Sequence, residues 1–140
     1  MKDIEILIET IEKLIPEYMA IPADSNISNG NVAVCIVDEA NNVFGKLYGP
    51  DKNRTRQSFK VAWTKASQVW ITGYKTGEYE AAVYSKQIDD KKFGISKPDF
   101  IGWEGGQPIT LKNGTKLSIG FSGFRGISDL EIVDRAVKMM

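Results

Sequence analysis

The segment from Gly120 to Arg125, followed by Gly126, carries the residue types of an anion-binding site. It runs from the end of a predicted strand into the start of a predicted helix. Amides at a helix N-terminus attract anions, and an arginine guanidinium adds a fork of hydrogen-bond donors. We therefore expect Ser122, Gly123 and Arg125 to contact a carboxylate or a phosphate. The alternative is a strand-to-helix turn that needs a glycine at positive φ.

A second candidate is the pair Gly105-Gly106, which precedes Pro108 and follows Trp103. Because glycine has no side chain, a flat ligand could lie over the bare backbone at this pair, beside the Trp103 indole. The alternative is a tight turn leading into the following hairpin. We expect Gly105 and Gly106 to contact the ligand.

Lys65 is the third candidate, because it lies within a mostly apolar predicted helix over 58–71. A lysine in that position can extend its ammonium to solvent along an apolar stem. It can also pair with a carboxylate, either that of Asp38 or that of an anionic ligand. We include Lys65 among the ligand-binding residues and leave these alternatives open.

The absence of histidine excludes several kinds of site. Ser-His-Asp triads, Cys-His pairs and the zinc-protease helix all need that residue. The single cysteine, Cys35, stands in an alternating apolar run, which is typical of a buried small side chain. The sequence therefore assigns no catalytic residue and predicts no metal site.

Composition limits the partners of the chain. Its 18 basic and 18 acidic residues cancel, so there is no net attraction for nucleic acid or for anionic lipid. No apolar run approaches the roughly 18 residues of a membrane span. The N-terminus, Met-Lys-Asp-Ile-Glu, lacks the apolar core of a signal peptide. We expect a cytoplasmic protein with no nucleic-acid or membrane partner.

Hydrophobic periodicity and turn residues predict the elements that must position these candidates. The predicted order is a helix over 4–15 ending near Pro16, a loop over 22–31, a hairpin over 32–48, a loop over 50–55, helices over 58–71 and 78–88, a hairpin over 108–121, and a last helix. Asn113-Gly114 is a strong hairpin-turn signal. Ser128 and Glu131 have the spacing of a capping box at the start of the last helix.

The first predicted strand is apolar on both faces, which indicates a central strand covered by helices on each side. Two hairpins joined in one antiparallel sheet, with helices on its faces, predict an α+β fold. A chain of 140 residues without a recognisable linker predicts one domain over 1–140.

Four motifs in order resemble the GlcG/HbpS family, which includes the C-terminal domain of PduO-type corrinoid adenosyltransferases. They are Val34-Cys35-Ile36-Val37-Asp38 before a turn, the pattern S-x-x-x-A-x-x-K-A over Ser58–Ala66, Gly105-Gly106-Gln107-Pro108, and Gly120-Phe121-Ser122-Gly123. The resemblance covers roughly residues 4–138.

This resemblance implies a profilin-like α-β-α sandwich with a mainly antiparallel sheet, a homo-oligomer, and haem as a cofactor. Two features depart from the family pattern. The chain lacks the histidine that ligates haem in some relatives, and Leu130-Glu131 stands where the last helix usually begins with an acidic pair.

Three functional hypotheses follow. The first is a cytoplasmic, oligomeric protein that binds a small planar or anionic ligand, with haem or a related tetrapyrrole implied by the resemblance. The second is a small enzyme of unassigned reaction that uses lysine, aspartate or tyrosine for acid-base chemistry. The third is an accessory assembly protein without catalysis, which would expose an apolar surface to its partner.

Overall fold

Strand β1 (Val32–Asp38) occupies an inner position in a four-stranded antiparallel sheet, as its apolar composition predicts. The other strands are β2 (Val43–Tyr48), β3 (Gly106–Thr110) and β4 (Lys116–Ser122), and the order across the sheet is β2-β1-β4-β3. The computed structural model describes residues 2–140. The two hairpins are therefore joined in one sheet through the pairing of β1 with β4.

Alternate residues of β1 face two different helical layers. Val32, Val34 and Ile36 pack in a core with helices α1 (Lys2–Met19) and α5 (Gly126–Lys138). Ala33 and Cys35 face the opposite layer, which is formed by helix α3 (Lys52–Thr72). This arrangement is an α-β-α sandwich, so the predicted α+β fold with an antiparallel sheet is confirmed.

Helices α2 (Pro22–Ser28) and α4 (Thr76–Tyr84) complete the fold. The predicted loop over 22–31 is wrong, because Pro22 starts α2 at a position where a proline needs no amide donor. The first helix ends near Pro16, as predicted, but one turn beyond it. The helix continues to Met19 because Tyr18 extends its buried face beyond Leu14.

The boundaries of α3 (Lys52–Thr72) and α4 (Thr76–Tyr84) also differ from the predicted helices over 58–71 and 78–88. Helix α3 begins at Lys52 because the carboxylate of Asp51 accepts hydrogen bonds from the amides of Asn53 and Arg54, which caps the helix. The loop predicted over 50–55 is therefore mostly helix. Among residues 2–140, none of the helices combines the length and hydropathy needed to cross a membrane.

Helix α3 packs unusually close to β4, and Gly120 permits that approach. A Cβ at Gly120 would overlap the carbonyl oxygen of Ala62 and lie 2.7 Å from the amide nitrogen of Ala66. By contrast, Gly114 lies in the hairpin turn at φ +89°, and a Cβ there would meet nothing within 4 Å. The first glycine serves packing and the second serves the backbone turn.

We expect Gly120→Ala to lower the free energy of unfolding by about 3 kcal/mol, because α3 must move away from the sheet. The matched substitution Gly114→Ala should cost only about 1 kcal/mol, the strain of a left-handed alanine. Urea denaturation followed by circular dichroism measures both. Equal losses in the two variants would contradict the proposed role of Gly120.

Candidate functional site

A cleft of about 670 Å³ opens where β4 ends and α5 begins. Helix α3 forms one wall, the β4–α5 connection forms another, and segment 102–104 and Ile27 of α2 complete the rim. Four of the predicted site residues line it, namely Lys65, Ser122, Gly123 and Arg125. The fold therefore brings together residues that lie almost 60 positions apart along the chain.

The base of the cleft holds a buried ion pair between Lys65 and Asp129. The Lys65 Nζ lies 3.2 Å from Asp129 Oδ2 and donates a 2.8 Å hydrogen bond to the Phe121 carbonyl oxygen. Both side chains are almost completely buried. The other carboxylate oxygen of Asp129 accepts a hydrogen bond from the Phe124 amide. The pair thus joins α3, β4 and α5 at one point.

Burial changes the proton affinity of both groups in the pair. It lowers the pKa of the Lys65 ammonium, an effect that the Asp129 carboxylate partly offsets. Burial also raises the pKa of Asp129 to about 7, although the attraction of Lys65 acts in the opposite direction. Removal from water disfavours each charged form, so the two proton affinities approach each other.

The carboxylate partner of Lys65 therefore differs from the one considered in the sequence. Asp38 lies at the opposite end of β1, where its carboxylate accepts hydrogen bonds from the amides of Ala40 and Asn42. The alternative in which Lys65 extends to solvent is excluded, because its side chain is only 2% exposed. Asp129 was missed because Ser128-Asp129 was interpreted as part of a helix cap.

Arg125 does not present a free guanidinium to the cleft. Its Nε and Nη2 donate to the two carboxylate oxygens of Asp24, at 3.0 and 3.3 Å. Burial alone would raise the pKa of Asp24, but hydrogen bonds from Arg125 and Ser128 outweigh it and hold that pKa below its usual value. The charge of Arg125 is therefore matched within the protein.

The predicted capping box is wrong because both of its side chains have partners elsewhere in the fold. The Ser128 hydroxyl donates to Asp24 at 2.8 Å instead of capping its own helix, and Glu131 accepts a hydrogen bond from the Tyr18 hydroxyl. Helix α5 begins at Gly126 without a side-chain cap. The amides of Gly126 and Ile127, both in the first turn and both lining the cleft, consequently have no partner within residues 2–140.

The hydroxyl of Ser122 adds a polar group next to these amides. Ser122 is 8% exposed and lines the cleft, yet its hydroxyl makes no hydrogen bond to any residue of the described chain. Among residues 2–140, the fully buried side-chain polar atom without a partner is the Tyr79 hydroxyl, so the Ser122 hydroxyl is open to solvent in the cleft. Ser122, Gly126 and Ile127 together thus offer hydrogen-bond donors that the protein itself leaves unused.

Apolar side chains surround these polar groups at the rim. Ile27, Trp103 and Ile127 line the cleft and are each at least half exposed to solvent. Arg54 also lies at the rim, where its guanidinium donates to the Ile27 carbonyl oxygen and forms no ion pair with a carboxylate of the described chain. The sequence analysis expected Trp103 beside a flat ligand, whereas Arg54 carried no signal of its own because it stands in a predicted loop.

The two glycines predicted to contact ligand do not line this cleft. Gly105, at φ +126°, lies behind the ion pair, where a Cβ would stand 2.6 Å from Lys65 Nζ. Gly106 packs against Thr76 and lines a separate cleft of about 500 Å³ beside α4. Close packing explains both residues, and their contact with a ligand stays a prediction.

Substitution of Lys65 should reveal the buried charge at Asp129. We expect Lys65→Met to lower the free energy of unfolding by about 3–5 kcal/mol, because it leaves a buried carboxylate without its counter-ion. The double variant Lys65→Met/Asp129→Asn should recover most of that loss. Lys138→Met, which breaks an exposed pair with Asp134, is the control and should change little.

The loss in Lys65→Met should depend on pH. Removing the ammonium takes away the attraction that lowers the pKa of Asp129, so that pKa rises above about 7. A carboxyl group with a raised folded pKa contributes stability when protonated and loses it as pH rises through that value. Denaturation at pH 5 and pH 9 should therefore show the smaller loss at pH 5, and the opposite order would refute the assignment.

Comparison with known proteins supports the fold. No protein-family model matches the sequence, and no curated protein matches it significantly. Among solved structures, PduOC in complex with haem aligns over 96% of this chain and 91% of its own, at 16% identity and a TM-score of 0.66. Klebsiella pneumoniae protein ORFY aligns over 94% and 86%, at 17% identity and a TM-score of 0.65.

A double mutant of HbpS from Streptomyces reticuli aligns over 94% of this chain and 84% of its own, at 19% identity and a TM-score of 0.59. Identities this low establish similarity of fold and nothing finer. The resemblance to the GlcG/HbpS family noted from four sequence motifs is thus confirmed at the level of structure: the chain has the fold of HbpS and of PduOC.

Proposed function

We propose that this protein binds a small planar ligand with carboxylate groups, of the tetrapyrrole class, in the cleft between α3 and α5. The observation that carries the proposal is the exposed apolar rim of Ile27, Trp103 and Ile127 around a polar base. Small-molecule sites are typically clefts of roughly 300–1,000 Å³ with apolar walls and a few polar groups. The cleft has that size and composition.

The groups available to a carboxylate lie at two levels of the cleft. Arg54 at the rim has no carboxylate partner in the part of the chain that the structure describes, so its guanidinium can pair with an anionic ligand group. Deeper in the cleft, Ser122 and the amides at the start of α5 offer further donors. An apolar ring between these levels would contact Trp103 and Ile127.

Haem is the specific ligand suggested by the neighbour PduOC, whose structure is described as a haem complex. The cleft has apolar side chains for the ring of haem and donors for its propionates, but it has few side chains that could ligate the iron. Within residues 2–140, the cleft is lined by no histidine, cysteine, methionine or tyrosine. Lys65 is the remaining nitrogen ligand, and its amine is engaged by Asp129 and the Phe121 carbonyl. We therefore infer that the ligand is recognised by its ring and carboxylates.

This inference gives a direct binding test. Metal-free protoporphyrin IX and hemin should quench tryptophan fluorescence with dissociation constants within about threefold of each other, since recognition does not use iron. Arg54→Ala should raise both constants about tenfold. Arg56→Ala is the matched control, because Arg56 is on the same helix, is exposed and does not line the cleft.

A second pair of variants tests the apolar wall. Trp103→Ala should weaken porphyrin binding, whereas Trp70→Ala, which removes an exposed tryptophan outside the cleft, should not. Absorbance of the bound porphyrin provides the measurement where tryptophan is lost. Absence of saturable binding by either porphyrin would overturn the tetrapyrrole proposal, and binding of hemin alone would overturn the carboxylate-and-ring mode.

The same proposal includes a homo-oligomer, supported by an exposed apolar face on α3. Trp63 and Trp70 are 42% and 48% exposed and lie seven residues apart, so they point in the same direction from the helix. Large exposed apolar side chains in one patch are typical of interaction surfaces. A cytoplasmic location also stays part of the proposal, supported by the sequence alone.

Oligomerisation through α3 is tested by molar mass. We expect the purified chain to elute as an oligomer in size-exclusion chromatography with light scattering, and Trp63→Glu/Trp70→Glu to shift it toward the monomer because two charges would be buried at the interface. Trp103→Glu serves as the control for an exposed tryptophan outside α3. A wild-type chain that is monomeric at every concentration would contradict this part of the proposal.

A further inference from the structure

The Lys65–Asp129 pair lies at the base of an open cleft, a position that the stability of the fold alone does not require. A buried ion pair generally stabilises a protein no better than apolar side chains of similar volume. This pair nevertheless forms the base of an open cleft, beside a hydroxyl and two amides without partners. Ionisable groups removed from water inside a cleft are candidates for chemistry.

We propose that Lys65 forms an imine with the carbonyl group of a small oxo acid bound in the cleft, and that Asp129 transfers the protons. The proposal uses the cleft of the proposed function but does not depend on porphyrin binding. The proposal corresponds to the second functional hypothesis, an enzyme, and it names the reaction type and the two residues that carry it out.

The amine must first lose a proton to become a nucleophile. Asp129 Oδ2, 3.2 Å from Lys65 Nζ, is the base within reach. Burial favours the neutral form of both groups, which lowers the cost of this transfer. The hydrogen bond from the Phe124 amide keeps the carboxyl group oriented toward the lysine.

Imine formation then needs only the neutral Lys65 amine, the protonated Asp129 and the carbonyl group of the substrate. The Nζ lone pair attacks the carbonyl carbon, a C–N bond forms, and the C=O π electrons move to oxygen, which takes the proton held by Asp129. The nitrogen of this carbinolamine returns one proton to Asp129. That proton goes to the hydroxyl group, which leaves as water while the C=N bond forms. One ammonium and one carbonyl yield one protonated imine and one water.

The groups around the pair indicate the class of substrate. Ser122, the last residue of β4, lines the same cleft and is more than nine-tenths buried as a residue. Its hydroxyl remains open to solvent and makes no hydrogen bond within residues 2–140. The amides of Gly126 and Ile127 start α5, and Asp129 follows three residues after Gly126. A carboxylate bound by these donors would lie within one helical turn of the ion pair, which suits a short oxo acid.

Reductive trapping tests the proposal. Purified full-length protein is incubated with pyruvate and sodium cyanoborohydride, which reduces an imine to a stable secondary amine, and the adduct is located by peptide mass spectrometry. We expect one dominant adduct on Lys65. Acetone, which lacks the carboxylate, should label Lys65 at least about tenfold more slowly.

Three variants separate chemistry from structure. Lys65→Arg keeps a cation beside Asp129 and should lose the adduct while retaining the circular dichroism of the wild type. Ser122→Ala should raise the pyruvate concentration at half-maximal labelling by about tenfold. Lys60→Arg, on the exposed side of α3, should change nothing.

Labelling of surface lysines at the same rate as Lys65 would overturn the proposal, and equal rates with pyruvate and acetone would overturn the oxo-acid class. These outcomes are distinct from failure of the proposed function. Loss of porphyrin binding with intact Lys65 labelling rejects the tetrapyrrole proposal alone, whereas intact porphyrin binding without Lys65 labelling rejects the imine alone.

Discussion

The short distance between α3 and the sheet is the constraint on which the rest of the structure depends. Only a glycine at position 120 lets the Ala62 turn lie against β4, and Gly106 on the neighbouring strand does the same beside Val69. The close approach places the long side chain of Lys65 along the end of β4, so that its amine reaches Asp129 on α5. Helix packing thus determines the charge arrangement of the cleft.

The elements of the fold were largely predictable because their signals are local. Three signals depend only on neighbours in the sequence: the continuous apolar run of β1, the Asn113-Gly114 turn and the periodicity of α1. The errors arose where a local signal had a nonlocal competitor. The polar residues of α2 were interpreted as a loop because the contact that stabilises them, between Asp24 and Arg125, is not local. Packing of Tyr18 likewise lets α1 continue for one turn beyond Pro16 despite the lost hydrogen bond.

The charge arrangement of the candidate site could not be predicted from the sequence, because it depends on contacts between distant residues. Lys65, Ser122, Gly123 and Arg125 could be named by residue type, but whether a charge is free or matched depends on partners far along the chain. Arg125 is neutralised by a residue 101 positions away, and Lys65 by one 64 positions away. The Gly105-Gly106 pair indicates that the backbone needs room at this position. The sequence alone does not distinguish close packing from contact with a ligand, because both require a residue without a side chain.

The contact between Asp24 and the start of α5 also assigns a role to residues 2–28. Helix α2 supplies Ile27 to the rim, and its Asp24 holds Arg125 and Ser128 in place on the far side of the cleft. The N-terminal segment is therefore a structural part of the cleft wall as well as a cover for the sheet. Any shortened variant that starts at β1 would retain the Lys65–Asp129 pair in sequence but lack one side of the cavity around it.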